Sequence, residues 1–119
     1  DRNFAALKGL YKMPIEKMEV PYIVPQENGL RTGTNYIELI AGGKTLHIQS
    51  DKEFSFSILP YTPQELFRCK HTCKLKKSNS WILYIDAAHR GVGTGACGPD
   101  TRDEYKIKPG KFKLNLRVW

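Results

Sequence analysis

From Lys111 to Val118 the chain alternates strictly. Lys111, Lys113, Asn115 and Arg117 hold one parity; Phe112, Leu114, Leu116 and Val118 hold the other. Strand side chains point to opposite faces with a period of two, so this run predicts a strand with one wet and one apolar face. A strand of that kind needs a sheet to join and a second layer to cover it, which narrows the fold to a few β architectures. Ile37, Leu39 and Ala41 share a parity, Gly42-Gly43 is a tight-turn pair, and Leu46 and Ile48 alternate with His47 and Gln49, so a hairpin is expected with His47 on its outer face. Phe54-Ser55-Phe56-Ser57-Ile58 reads as a half-buried strand. Trp81-Ile82-Leu83-Tyr84-Ile85 is apolar on both parities, which predicts a central strand covered on both sides.

One short helix interrupts the strands. Thr62-Pro63-Gln64-Glu65 places a hydroxyl at the N-cap, proline at the first helical position and Glu at the third, a capping box that would turn Leu66 and Phe67 to the core. Lys108-Pro109-Gly110-Lys111 has the proline and glycine of a type II turn. Strands at regular spacing with turn signals and one capped helix argue for an all-β fold, an antiparallel β-sandwich, in a single domain over residues 1–119. At 119 residues the chain can bury about two thirds of its unfolded surface. The first 18 residues have no sustained period. Pro21 and Pro25 bracket an edge strand or extended arm, and Gln26-Glu27-Asn28-Gly29 follows as a turn.

Nineteen Lys and Arg against twelve Asp and Glu leave a net charge of +7, which raises the question of a polyanionic partner. Much of the excess lies at Lys70, Lys74, Lys76 and Lys77 and at Lys106, Lys108, Lys111, Lys113 and Arg117. The second group alternates with apolar residues as a solvated strand face does, and no aromatic is interleaved on the lysine side as RNA-binding sheets require. No nucleic-acid partner is expected. No apolar run approaches the ~20 residues of a membrane span, so no membrane partner is expected either. No signal segment opens the chain, and Asp1 in place of an initiator Met reads as a piece cut from a longer protein. The compartment stays open, cytoplasmic or periplasmic in a bacterium.

Cys69, Cys73 and Cys97 make an odd count, so no complete disulfide framework follows. On a strand, Cys69, His71 and Cys73 would share a face; three ligands hold zinc only with a borrowed fourth, and no second pair stands at finger spacing. Half-buried strand residues are the expected role, with no metal in this chain.

The candidate site is the stretch from Ile85 to Asp100, which leaves the apolar run, passes His89-Arg90 and enters a loop with glycines at 91, 93, 95 and 98. Such a cluster marks forced backbone geometry or close approach of a ligand. The loop lacks the Lys-Ser/Thr ending of a phosphate-binding loop and the strand-to-helix context of a dinucleotide fingerprint.

Val20-Pro21-Tyr22-Ile23-Val24-Pro25-Gln26-Glu27-Asn28-Gly29, with Tyr36-Ile37-Glu38-Leu39, Phe54-Ser55-Phe56-Ser57, Tyr61-Thr62 and His89-Arg90-Gly91-Val92-Gly93, closely resembles the C-terminal domain of the large β-galactosidases of glycoside hydrolase family 2. Asp1-Arg2 and Gly9-Leu10-Tyr11 match the run leading into it. The resemblance implies a β-supersandwich of the galactose-mutarotase-like kind, of which this chain is roughly the second half. It implies that the two carboxylates of the retaining mechanism, which must stand ~5–5.5 Å apart, lie in a barrel domain outside this chain. No substitute pair is evident: Asp103 and Glu104 would point to opposite faces of a strand, and Asp86 and Asp100 merely flank the loop.

The same resemblance implies that the loop from His89 to Pro99 is lent to the mouth of the sugar site. Substrate-binding roles then fall on Cys97, His89, Arg90 and Gly95, with no catalytic residue in the chain. Cys97 stands at or next to the position where well-known members carry a sugar-stacking Trp; a thiol offers no aromatic platform. The implied cofactors of the parent, Mg2+ and Na+, are bound elsewhere. The implied partners are the remaining domains of a β-galactosidase chain, a galactoside substrate and further copies in a homo-oligomer. A free-standing carbohydrate-binding module, with Tyr22, Tyr36, Tyr61, Trp81 and Tyr84 as platforms, is the alternative.

Overall fold

The computed structural model describes residues 8–20, 29–90 and 98–119. Two compact units are present, one built from Thr32–Ser55 and Asp86–Trp119, the other from the N-terminal segment ending at Arg31 and from Phe56–Ile85. The architecture is the expected all-β class: among the described residues, a mostly antiparallel sheet with one short α-helix and no closed barrel. Strand order is β1-β2-β3, with β4 also paired to β2.

β1 (Arg31–Ala41) and β2 (Lys44–Leu59) form the expected hairpin, of which Thr32–Ser55 belongs to the first unit. Gly42 and Gly43 join them at φ 55° and 74°. A two-residue hairpin turn with positive φ at both positions matches the strand twist, and side chains other than glycine resist that conformation. Space is not the reason, since a Cβ at either glycine would meet nothing within 4 Å. Ile37 and Ile48 are buried, and β4 (Leu116–Val118) pairs antiparallel with β2 through Ile48↔Val118, Gln49↔Arg117 and Ser50↔Leu116. His47 and Trp119 exchange backbone hydrogen bonds of 3.0 and 3.2 Å. Their rings stack at 5.2 Å, Tyr36 stacks on His47 at 6.1 Å, and Arg117 lies over Trp119. His47 is thus held in an aromatic ladder on the outer side of the hairpin.

Several expectations fail for physical reasons. The alternating run from Lys111 becomes strand only over Leu116–Val118, and Phe112 remains 57% exposed. Alternation marks a chain able to pair, while pairing with β2 is confined to the last residues, the three rungs from Leu116 to Val118 and the backbone bonds of Trp119 with His47. Gly110 is not among the glycines at positive φ, so the bend at Pro109-Gly110 is not type II. In β2, Ser55 and Ser57 are buried together with Phe54, Ile58 and Leu59, so this stretch is covered on both faces and not one. β3 (Ile82–Asp86) is half-buried throughout and ends the strand order, where a central, doubly covered strand was expected; Trp81 precedes it, 41% exposed.

The second unit turns on Gly29 and Tyr61. Gly29 sits at φ 67°, and a Cβ there would stand 2.4 Å from the Met18 carbonyl oxygen. The Arg31 guanidinium donates to that carbonyl at 2.9 Å and to the Gly29 carbonyl, and burial lowers its pKa. Buried Tyr61 donates its hydroxyl to Glu19 Oε1 at 3.0 Å, while its carbonyl accepts from the Tyr84 hydroxyl at 2.6 Å. Burial, reinforced by the Glu19 carboxylate, pushes the Tyr61 pKa up to about 12.

Helix α1 (Pro63–Arg68) starts where expected, with Thr62 Oγ1 accepting from the Glu65 N–H at 3.2 Å. The Glu65 carboxylate does not close a reciprocal capping box. It accepts instead from the Lys76 N–H at 3.2 Å and the Cys69 thiol at 3.3 Å. Phe67, expected in the core, is 94% exposed; no residue of this six-residue helix is buried, and Leu66 is half-buried. Cys69, His71 and Cys73 do not share a strand face: Cys69 caps α1, and Cys73 lies in a 3-10 turn over Thr72–Lys74. The Pro21–Pro25 arm and the turn residues Gln26, Glu27 and Asn28 lie outside the described residues.

Candidate functional site

Beyond β3 the chain passes exposed Ala87 and Ala88 to His89, which is half-buried. His89 Nδ1 stands 3.0 Å from Ser55 Oγ, a hydroxyl 5% exposed within β2. Burial of that hydroxyl makes the bond matter, since a buried polar group without a partner is destabilising. One imidazole nitrogen is therefore committed to the scaffold, while Nε2 has no partner among the described residues.

Arg90 pairs with Asp100 across the loop. Asp100 Oδ1 also accepts from the Thr101 N–H at 2.7 Å, and Lys106 Nζ stands 3.5 Å from Oδ2. Lys106 in turn donates to Asp103 Oδ1 at 2.8 Å. The Asp100 carboxyl is held below its usual value first by the Thr101 N–H, then by the charges of Arg90 and Lys106. Exposed pairs of this kind contribute little to stability. Here the geometry counts more: the residues before and after positions 91–97 are fastened to one another.

Of the residues expected to meet substrate, the structure places His89 and Arg90 at the base of the loop. Gly95 and Cys97 lie outside the described residues. Two residues sequence reasoning missed are Ser55, whose partner is 34 positions away, and Asp100, read only as flanking the loop. Asp103 and Glu104 sit in a 3-10 turn (Asp103–Tyr105) and not on a strand, both exposed. Among the described residues no group of three or more His, Cys, Asp or Glu could hold a metal ion, and no helix is long and apolar enough to cross a membrane.

Comparison with known proteins covers the same ground. The profile of the beta galactosidase small chain family matches residues 1–118. A β-galactosidase of Enterobacter cloacae is 41% identical over 117 residues, covering 98% of this chain and 11% of that enzyme. One from Actinobacillus pleuropneumoniae is 32% identical over 116 residues, 98% of this chain and 11% of the enzyme. A third, from an Arthrobacter species, is 32% identical over 124 residues, 99% of this chain and 12% of the enzyme. The chain thus spans about a tenth of the length of the relatives it matches. Matched from its first residue to its last but one, this chain belongs to the beta galactosidase small chain family.

Proposed function

We propose that this chain is a non-catalytic C-terminal β-sandwich segment of a β-galactosidase, lending the 89–99 loop to the sugar site of the parent enzyme. The parent, a retaining glycoside hydrolase, cleaves terminal β-D-galactosides such as lactose. One observation carries the reading: nearly the whole chain matches β-galactosidases while spanning about a tenth of their length. The acid/base and nucleophilic carboxylates, and the Mg2+ and Na+ sites, belong to the remaining domains. Those domains, the galactoside and further copies of the enzyme are the partners.

The fastened loop supports this reading. A loop presented to a ligand works best when its ends are fixed, because ordering it on binding then costs less. Ser55 holds His89 and Asp100 holds Arg90. With Nδ1 engaged, His89 offers Nε2 to a sugar hydroxyl; Arg90 orients the loop, and Gly95 and Cys97 supply close-approaching contacts. The test is direct: assay the 119-residue chain on a chromogenic β-galactoside, then assay the parent enzyme with residues 91–97 deleted. The chain alone is expected to be inactive and the deletion to lower kcat/KM. Turnover by the chain alone, or an unchanged kcat/KM, overturns the proposal.

A further inference from the structure

A cavity of about 220 Å3 in the second unit lies away from the 89–99 loop in sequence and takes no part in the reading above. Its walls include Glu16, Glu19, Lys77, Asn79, Ser80 and Trp81. The volume is below the roughly 300–1,000 Å3 of pockets for drug-sized ligands, so the occupant is one small ring.

The wall is built before any ligand arrives. The Ser78 N–H donates to the Pro60 carbonyl at 2.6 Å, the Ser80 N–H to Ser78 Oγ at 3.3 Å, and the Lys76 N–H to Glu65 at 3.2 Å, which fixes the course of the 76–81 loop. The Tyr61 hydroxyl donates to one Glu19 carboxylate oxygen at 3.0 Å. The Glu16 carboxylate, the Lys77 ammonium, the Asn79 amide and the Trp81 indole N–H have no hydrogen-bond partner among the described residues. The Trp81 ring leaves 41% of its surface open to a ligand.

The mixture of signs selects the ligand class. A cation would gain the two glutamates and meet Lys77; an anion would gain Lys77 and meet both glutamates. A neutral polyol uses every group, since each hydroxyl both donates and accepts, and the apolar face of a pyranose suits an aromatic ring. We infer that this cavity is a second saccharide-binding site, which takes a single neutral pyranose against Trp81 with its hydroxyls shared between Glu16 and Asn79.

The two tryptophans provide the experiment, because Trp119 stands in the first unit and serves as an internal control. The 15N-labelled 119-residue chain is titrated with methyl β-D-galactoside, glucose, tetramethylammonium chloride and inorganic phosphate while both indole N–H resonances are followed. A saccharide should move the Trp81 resonance saturably with a midpoint of ~1–20 mM, as expected for one sugar ring, and leave Trp119 in place. The double variant Glu16→Gln, Asn79→Ala should raise that midpoint at least tenfold without moving the Trp119 resonance, and the surface variant Lys77→Ala should admit tetramethylammonium. No saturable saccharide shift, equal movement of both indoles, or a wild-type response to tetramethylammonium or phosphate alone overturns the inference. The readout involves no turnover, so loss of this site and loss of the loop's role in the parent enzyme are separate results.

Discussion

Replacing Ser55 with Ala removes one oxygen from a position 5% exposed and breaks the 3.0 Å bond to His89. The net value of such a bond is ~0.5–1.5 kcal/mol, and the half-buried imidazole can recover part of it from water, so a loss of about 1 kcal/mol is expected. Unfolding entropy of ~2.1 cal/mol/K per residue puts a 119-residue chain near 250 cal/mol/K, so 1 kcal/mol corresponds to a Tm drop of about 4 °C. In the parent enzyme the same substitution frees one end of the loop. If about the same energy is lost from transition-state binding, kcat/KM falls ~5-fold. The decisive assay is a double-mutant cycle with His89→Ala, read by thermal denaturation and by kcat/KM. Coupling of ~0.5–1.5 kcal/mol is expected in stability, because either single change removes the same bond. Additivity within ~0.3 kcal/mol would refute the claim that Ser55 acts through His89.

Gly29→Ala and Gly43→Ala share a positive-φ penalty of ~1–2 kcal/mol, but only at Gly29 would the Cβ meet backbone, 2.4 Å from the Met18 oxygen. Denaturant melts should show Gly29→Ala the more destabilised by ~1–3 kcal/mol, and equal effects would refute the steric part. Asp100 titrates below its ordinary 3.8 in the folded chain, so its contribution is present above that value and is lost as pH falls through the depressed one. Asp100→Asn should flatten the decline in stability below about pH 4, and salt should shrink the difference because the carboxylate is exposed; identical acid limbs count against this. Burial and the Glu65 carboxylate raise the Cys69 pKa, whereas Cys73 is exposed. Peptide mapping after brief alkylation at neutral pH should find Cys69 modified ~10-fold more slowly than Cys73, and equal rates would exclude the thiol-to-carboxylate bond.

What could be read from the chain in advance was what its neighbours in sequence decide. Gly42-Gly43 carries its own turn geometry, and Thr62-Pro63 carries its own helix start, so both stand where expected. The Lys111–Val118 run fails for the opposite reason: alternation describes a strand's two faces, but how many residues pair depends on β2, far away in sequence. Phe67 reads as core because it is apolar, yet a six-residue helix buries none of its residues, and Leu66 beside it is only half-buried. At the site, His89 and Arg90 stood out by type, while nothing near Ser55 advertised a bond 34 positions long. The cavity joins Glu16 and Glu19 to the consecutive residues Lys77 to Trp81, and of these only Trp81, as an aromatic platform, is singled out by type in the sequence.

The forward reach of Glu65 has a consequence for how the chain folds. Helices shorter than about 12 residues are marginal in water, and α1 has six. Among the described residues the Glu65 carboxylate accepts from the Cys69 thiol and from an amide eleven positions on, at Lys76. Beyond its Thr62 cap, the helix therefore gains these ties when the 69–76 segment closes back on it. A peptide covering 60–68 should show almost no helical circular dichroism, while 60–78 should show a weak signal that Glu65→Ala abolishes. In the whole chain the six residues should condense late, after the hairpin turn at Gly42-Gly43 has brought β1 and β2 together.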